Sequence, residues 1–372
     1  MCHTEFMRLL ATCALLCTSG FAQIQPGQLD PNRTTNTSAV NPDLSGNNVI
    51  STTVTNVVAA TTVLDKNGNY INGLTLQDFT LYDKNVPQKI SADVSFAPIS
   101  LVIAVQRSEN LREILPKIQN DGLLLANNVV GDNGEGAVLA FDNEVKLLQD
   151  FTNDPAKIDA AMKSMTPRGY NSVVNDAVAE GIRMLRGRDK GRRRVLLLIS
   201  EKRDKSSQAR LRETLRDAQF GNVTIYAIDI STIVSKLTDR PKYPRPEPIP
   251  TTAQHVPSGA AQTPTTVDQI YNNGNYIPVF VDIFKGVKGL FVDDTLDVFT
   301  RYTGGKQYTF LTTKTLERVT TALGAELHSQ YLLAYSPSNK GEGGYHDIRV
   351  VVNRPSLEVR TRPGYWSGPL QE

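Results

Sequence analysis

Four short apolar runs organise the middle of this chain: Ile99–Val105, Gly136–Phe141, Val195–Ile199 and Val223–Ile228. Each is apolar at almost every position rather than at alternate ones, as a strand covered on both faces would be. Between them, apolar residues recur at helical spacing over Leu111–Val130, Pro155–Met165, Ser172–Leu185 and Ser206–Phe220. Strands alternating with helices predict an α/β fold, a mainly parallel sheet with helices on both faces. Val145–Phe151 follows Phe141 after a short turn and predicts an antiparallel edge strand. The pattern resumes with Phe291–Tyr302, Gln307–Phe310 and a helix over Leu316–Leu327.

The flanks have a different rhythm. Strand-like segments occur at Val54–Leu64, Phe79–Tyr82 and Ile90–Phe96, and again at Tyr331–Tyr335, Asp347–Val352 and Leu357–Arg362. Residues 51–98 and 331–366 each offer too few strands for a stable sheet. They are therefore expected to combine into one small β-rich unit, with the α/β domain of residues 99–330 inserted between them. Asp65-Lys66-Asn67-Gly68-Asn69 reads as a hairpin turn, because it lacks the later Glu and the helices of a calcium loop. Residues 23–50 are polar and carry no apolar period, as a flexible linker would. A second interruption, about 232–275, holds seven prolines between Pro241 and Pro264. It is expected to be an extended insertion that leaves the sheet at a strand's C-terminal end and overhangs the loops there.

Composition narrows the function classes. A hydrophobic content of 40% and a charged content of 21% suit a globular chain, and a net charge of +2 gives no bulk attraction to nucleic acid or membrane. At the N-terminus, Arg8 precedes the apolar run Leu9–Cys17, and small residues lead to Ala22. This is the grammar of a signal peptide over residues 1–22, implying a periplasmic, extracellular or envelope location. The alternative, an anchoring helix, needs ~20 apolar residues, and the run is shorter. Cys2, Cys13 and Cys17 all lie in this segment, so a mature chain would have neither disulfide nor thiol chemistry. His3, His255, His328 and His346 are scattered, and no His-Glu-x-x-His or Gly-x-Ser-x-Gly occurs. Thr303-Gly304-Gly305-Lys306 reads as a helix-ending turn, and the basic run Arg186–Arg194 as a solvated turn at the sheet edge away from the site, with an anionic surface contact as the alternative.

Three segments give a sharper signal. Val102-Ile103-Ala104-Val105-Gln106-Arg107-Ser108, Gly169-Tyr170-Asn171-Ser172-Val173-Val174-Asn175-Asp176-Ala177 and Val195-Leu196-Leu197-Leu198-Ile199-Ser200-Glu201-Lys202-Arg203-Asp204 occur in this order. Together they resemble the metal-site segments of a von Willebrand factor type A domain. More narrowly, the chain resembles the secreted bacterial, acidobacterial-type VWFA-related family. Gly73–Asp83, Gln330–Tyr335 and Arg362–Trp366 resemble that family's flanking segments, so the likeness spans about residues 51–366.

The resemblance implies a Rossmann-like vWA sheet and a site that holds Mg²⁺ through oxygen ligands, with a sixth position for a partner's carboxylate. At the ligand positions this chain has Gln106 for Asp, Ser108 retained, Asn110 for Ser, Ser172 for Thr and Glu201 for Asp. Oxygen atoms remain at all five, but two carboxylates have become one on a longer arm. Mg²⁺ demands near-ideal octahedral geometry, so binding is expected to be weak or absent. Arg107, Arg168, Lys202 and Arg203 flank the three loops. They are either a solvated rim or a cationic substitute for the metal that attracts an acidic partner residue. The resulting expectation is an exported, non-catalytic protein-binding or adhesion module. Two alternatives remain: a weak Mg or Ca site built from Ser108, Ser172 and Glu201, and a hydrolase using Glu201.

Overall fold

The computed structural model describes residues 56–131, 133–238, 294–310, 313–339 and 342–368. The segments expected to be a signal peptide and a linker, and most of the Pro-rich insertion, lie outside these residues. The α/β part is a six-stranded sheet in the order β7–β6–β5–β8–β9–β10. Its strands are β5 (Ile99–Gln106), β6 (Glu135–Phe141), β7 (Val145–Thr152), β8 (Arg193–Ser200), β9 (Val223–Asp229) and β10 (Gln307–Thr309). All neighbours are parallel except β6 and β7. Counted along the chain, this is the doubly wound order, and the winding direction reverses between β5 and β8.

Alternation along β5 shows why its run is continuously apolar. Leu101, Ile103 and Val105 enter one core, while Val102 and Ala104 enter the other. The first core is closed by α1 (Leu115–Asn120), α2 (Gly122–Leu125), α3 (Pro155–Lys163), α6 (Ser231–Thr238) and α8 (Thr313–Ser329). The second is closed by α4 (Val174–Arg186), α5 (Leu211–Phe220) and α7 (Thr295–Thr303).

Two helices differ from the sequence reading. The stretch expected as one helix over Leu111–Val130 divides into a turn at Glu109–Leu111, then α1, α2 and a π-helical turn at Ala126–Val130. Pro116 lies in the first turn of α1, where it has no N–H to extend a helix backwards. The helix expected from Ser206 starts at Leu211. Asp176 accepts the backbone N–H groups of Gln208 and Ala209, and Asp204 accepts that of Ser207, which holds this segment as a loop.

The flanking segments build two antiparallel four-stranded sheets, β13–β1–β11–β4 and β14–β12–β2–β3. Here β1 is Val57–Leu64, β2 Phe79–Asp83, β3 Val86–Gln88, β4 Ile90–Asp93, β11 Tyr331–Tyr335, β12 Gly344–Val352, β13 Glu358–Thr361 and β14 Gly364–Ser367. Ladders β1–β11 and β2–β12 join the segment before the α/β sheet to the segment after it. Val63, Leu81, Leu333 and Tyr335 are wholly buried in one cluster shared by the two sheets. The turn after β1 is fastened by Asp65, whose carboxylate accepts the N–H groups of Asn67 and Asn69, while Gly68 takes φ +81°. That carboxylate is spent on the turn. Gly304 ends α7 in the left-handed region at φ +85°, as a C-terminal glycine should.

Candidate functional site

The ends of β5 and β8 lie side by side at the point where the winding reverses, the usual ligand position of an open α/β sheet. Gln106 is the last residue of β5, and Ser200 and Glu201 follow the same edge from β8. The second loop, residues 168–173, is laced to the first. Arg168 N–H donates to the Arg107 carbonyl at 2.8 Å, Glu109 N–H to the Gly169 carbonyl at 2.8 Å, and Ser108 Oγ to the Asn171 carbonyl at 2.7 Å. Gly169 must be glycine, because φ is +67° and a Cβ would lie 2.9 Å from Asn143 Oδ1. Ser172 Oγ donates to the Arg203 carbonyl at 2.9 Å and ties in the third loop.

Four of the five expected positions meet in one hydrogen-bonded cluster. Gln106, wholly buried, uses its full bonding capacity. Its Oε1 accepts from Ser200 Oγ at 3.0 Å and from the Glu201 N–H at 2.9 Å; its Nε2 donates to Ser108 Oγ and Glu201 Oε2, each at 2.8 Å. The orientation is fixed, because a backbone N–H can only donate and Oε1 must face it. Asn110 Nδ2 donates to the same Glu201 oxygen at 2.9 Å, and Lys205 Nζ approaches it at 3.3 Å. These hydrogen bonds and the Lys205 charge outweigh burial and hold the Glu201 carboxyl below its usual pKa. Ser172 is the fifth position and sits in the adjoining loop rather than in the cluster.

This donor set does not fit a magnesium ion. The ion needs converging oxygens, whereas two amide nitrogens and an ammonium point at Glu201. Among the described residues no group of three His, Cys, Asp or Glu side chains could hold a metal.

The basic residues behave less uniformly than expected. Arg107 is not on the rim: its side chain is 5% exposed and pairs with the buried Asp142 at 2.8 Å. It points inward because its backbone continues the β5 edge, with its N–H bonded to the Phe141 carbonyl. Arg168 lies at the surface against Glu144 at 3.1 Å. Lys202 reaches Asp229 at 3.5 Å and Asp294 at 3.2 Å. Arg203 contributes its carbonyl to Ser172. The cation at the cluster is Lys205, which the sequence reading missed; its position four residues after Glu201 was the available signal. Tyr170 was missed as well. It stands 78% exposed on the second loop, beside Asn171 and Ser172.

Both described ends of the Pro-rich insertion adjoin the site. Lys202 N–H donates to Ser231 Oγ at the start of α6, and Thr295 N–H donates to the Lys202 carbonyl at the start of α7. The insertion thus starts later than residue 232, since α6 runs to Thr238. Whether it overhangs the loops lies outside the described residues.

No family model and no curated protein matches this chain. Among solved structures it is similar to the vWF domain of the type V pili tip protein Mfa5 from Porphyromonas gingivalis, with 16% identity and TM-score 0.27 over 29% of this chain and 39% of that one. A von Willebrand factor type A protein from Catenulispora acidiphila gives 10% identity and TM-score 0.41 over 84% and 63%. The conserved hypothetical protein BatB from Bacteroides thetaiotaomicron gives 11% and 0.39 over 62% and 98%. The chain thus spans well under two thirds of the Mfa5 domain structure. With overlaps of this size, the fold assignment rests on the strand order and not on these neighbours.

Proposed function

We propose that this chain is an exported, non-catalytic protein-binding module on a vWA-type scaffold, and that it works without the metal of such sites. The supporting observation is the Gln106 amide. Its Nε2 stands between Ser108 and Glu201 and supplies by hydrogen bonds the compensation a cation would give. A partner then meets a finished, rigid surface of three laced loops, with Tyr170 projecting from it. Exposed aromatic side chains on a rigid base are effective interface anchors. Rim charges already paired to Glu144, Asp229 and Asp294 contribute orientation more than affinity.

A weak metal site is the second reading, favoured by Asn110 Oδ1, which is buried without a partner. Calorimetry with Mg²⁺, Mn²⁺ and Ca²⁺ separates the two. Silence is expected, and micromolar binding abolished by Glu201→Ala would replace the first reading by the second. Affinity capture from an envelope fraction should give the same partner with and without EDTA, and Tyr170→Ala should lose it while leaving thermal stability unchanged. Loss of capture in EDTA would overturn metal independence.

A further inference from the structure

The opposite end of the α/β sheet carries a feature that the proposed function does not use. Between the N-terminal ends of β8 and β9 and the strands β1 and β11 lies a cavity of about 610 Å³, the size of a small-molecule site. Six cationic residues line it, namely Arg186, Lys190, Arg192, Arg193, Arg194 and Arg362, and among the described residues no Asp or Glu does. The remaining lining is largely apolar, with Val58, Val94, Phe220 and Leu332 among it.

The turn expected for Arg186–Arg194 is solvated at Arg186, Gly187 and Asp189–Gly191, but its last residues turn inward. Arg193 is 7% exposed and Arg362 3% exposed. Arg193 donates to the carbonyls of Ser95 and Leu327 and to Gln330, all neutral acceptors, and Arg194 to the carbonyls of Gly221 and Arg188. Glu135 neutralises Arg188 and Arg192 from outside the cavity. Arg193, Arg194 and Arg362 make no ion pair among the described residues, and the Nε of each is buried without a hydrogen-bond partner. Burial pulls all three guanidinium groups below their usual pKa, and Arg186 adds repulsion to Arg194. Asp93, Asp189 and Asp83 offset this at a distance, towards Arg193, Arg194 and Arg362 respectively, and Arg362 also lies over the Tyr365 ring at 5.8 Å, but none of these contacts is an ion pair. A guanidinium does not discharge in a protein, so the fold carries uncompensated positive charge around a cavity.

We propose that this cleft binds a small organic anion through its phosphate or carboxylate groups. Guanidinium groups suit both, because their planar forks bind such oxyanions with two parallel hydrogen bonds. The apolar wall accommodates the uncharged part of the ligand. Binding also pairs this charge, so the ligand should stabilise the fold by RT ln(1 + [L]/Kd), more at higher concentration and for tighter ligands.

The test uses the full chain at physiological salt, where non-specific surface attraction is screened. Pyrophosphate and citrate are titrated by calorimetry and by thermal unfolding, with glycerol as an uncharged control. Pyrophosphate alone would assign the phosphate class, and citrate alone the carboxylate class. Saturable one-to-one binding of at least one is expected, with a rise in melting temperature, and none for glycerol. Arg186→Ala with Lys190→Ala, both exposed and therefore safe for folding, should weaken binding at least tenfold. Arg362→Met should do the same from the buried side. Glu201→Ala, at the far end of the sheet, should leave it unchanged, which keeps this proposal separate from the site of the proposed function. The idea is overturned if neither anion binds saturably, or if binding survives the Arg186/Lys190 double variant intact.

Discussion

Gln106 Nε2 lies 2.8 Å from Glu201 Oε2, an amide donor against the cluster's carboxylate. This pairing joins the ends of two adjacent parallel strands and gives the site its chemistry. A carboxylate at position 106 would instead face Glu201 as a second anion. Gln106→Asp is therefore expected to destabilise the protein by about 2–3 kcal/mol at neutral pH, from lost hydrogen bonds and like-charge repulsion. Urea unfolding with and without Mg²⁺ measures it. The triple variant Gln106→Asp, Asn110→Ser, Glu201→Asp should recover stability when Mg²⁺ is added, whereas the wild type should not respond. A wild type stabilised as strongly as the triple variant would refute the account of the site.

Asp83 and His346 form a buried pair in the β-sandwich, with Nδ1 and Oδ1 2.7 Å apart and both side chains fully removed from solvent. The other ring nitrogen faces the Glu342 carbonyl at 2.8 Å, so both nitrogens meet acceptors and the imidazolium is favoured. Accordingly, the His346 pKa is raised and that of Asp83 lowered, each against the opposing effect of burial. The signs follow from linkage. Stabilisation through His346 is complete below its unfolded pKa of about 6.5 and disappears as pH rises through the higher folded value. Stabilisation through Asp83 is present above about 3.9 and disappears as pH falls through its lower folded value. Unfolding free energy should decline above about pH 6.5 by at most ~1.4 kcal/mol per pH unit from this group. His346→Gln should remove that slope; an unchanged slope would show that another group titrates.

Asp121 presents the reverse case. It is 6% exposed, one carboxylate oxygen has no partner, and burial together with the Glu317 charge raises its pKa to about 6. A carboxyl whose folded pKa is raised costs stability as pH rises from about 4 to 6. Asp121→Asn should therefore stabilise the protein at pH 7 by up to about 3 kcal/mol and make little difference near pH 4. Denaturant midpoints at the two pH values decide the matter.

The sequence disclosed the α/β sheet because both faces of β5, β6, β8 and β9 are covered and their runs are continuously apolar. It also placed the edge strand β7, since a short turn after Phe141 leaves no room for a crossover. The site loops were legible in position but not in behaviour. Gln106 looked like a damaged ligand, and only its partners show that it completes a network. Arg107 looked like surface charge because its partner Asp142 is 35 positions away. The Asp83–His346 pair, 263 positions apart, left no local trace at all. The short strands β3 and β14 went unread because three or four residues carry too little periodicity.

Close backbone approach supplies the last prediction. Gly305 lies between α7 and β10, where a Cβ would fall 1.9 Å from the Ile225 carbonyl oxygen and 2.7 Å from its carbon. Ile225 belongs to β9; it pairs with Leu196 of β8 on one side and its N–H donates to Thr303 Oγ1 at 2.9 Å on the other, so it cannot retreat. Gly305→Ala is expected to cost about 3 kcal/mol, the upper range for overpacking. Gly68 provides the comparison. It has φ +81° but nothing within 4 Å of the added atom, so Gly68→Ala should cost only about 1 kcal/mol from the left-handed backbone. Thermal and urea unfolding of the two variants measure the difference. Equal losses would mean that β9 moves freely at Ile225, contrary to a strand held on both edges.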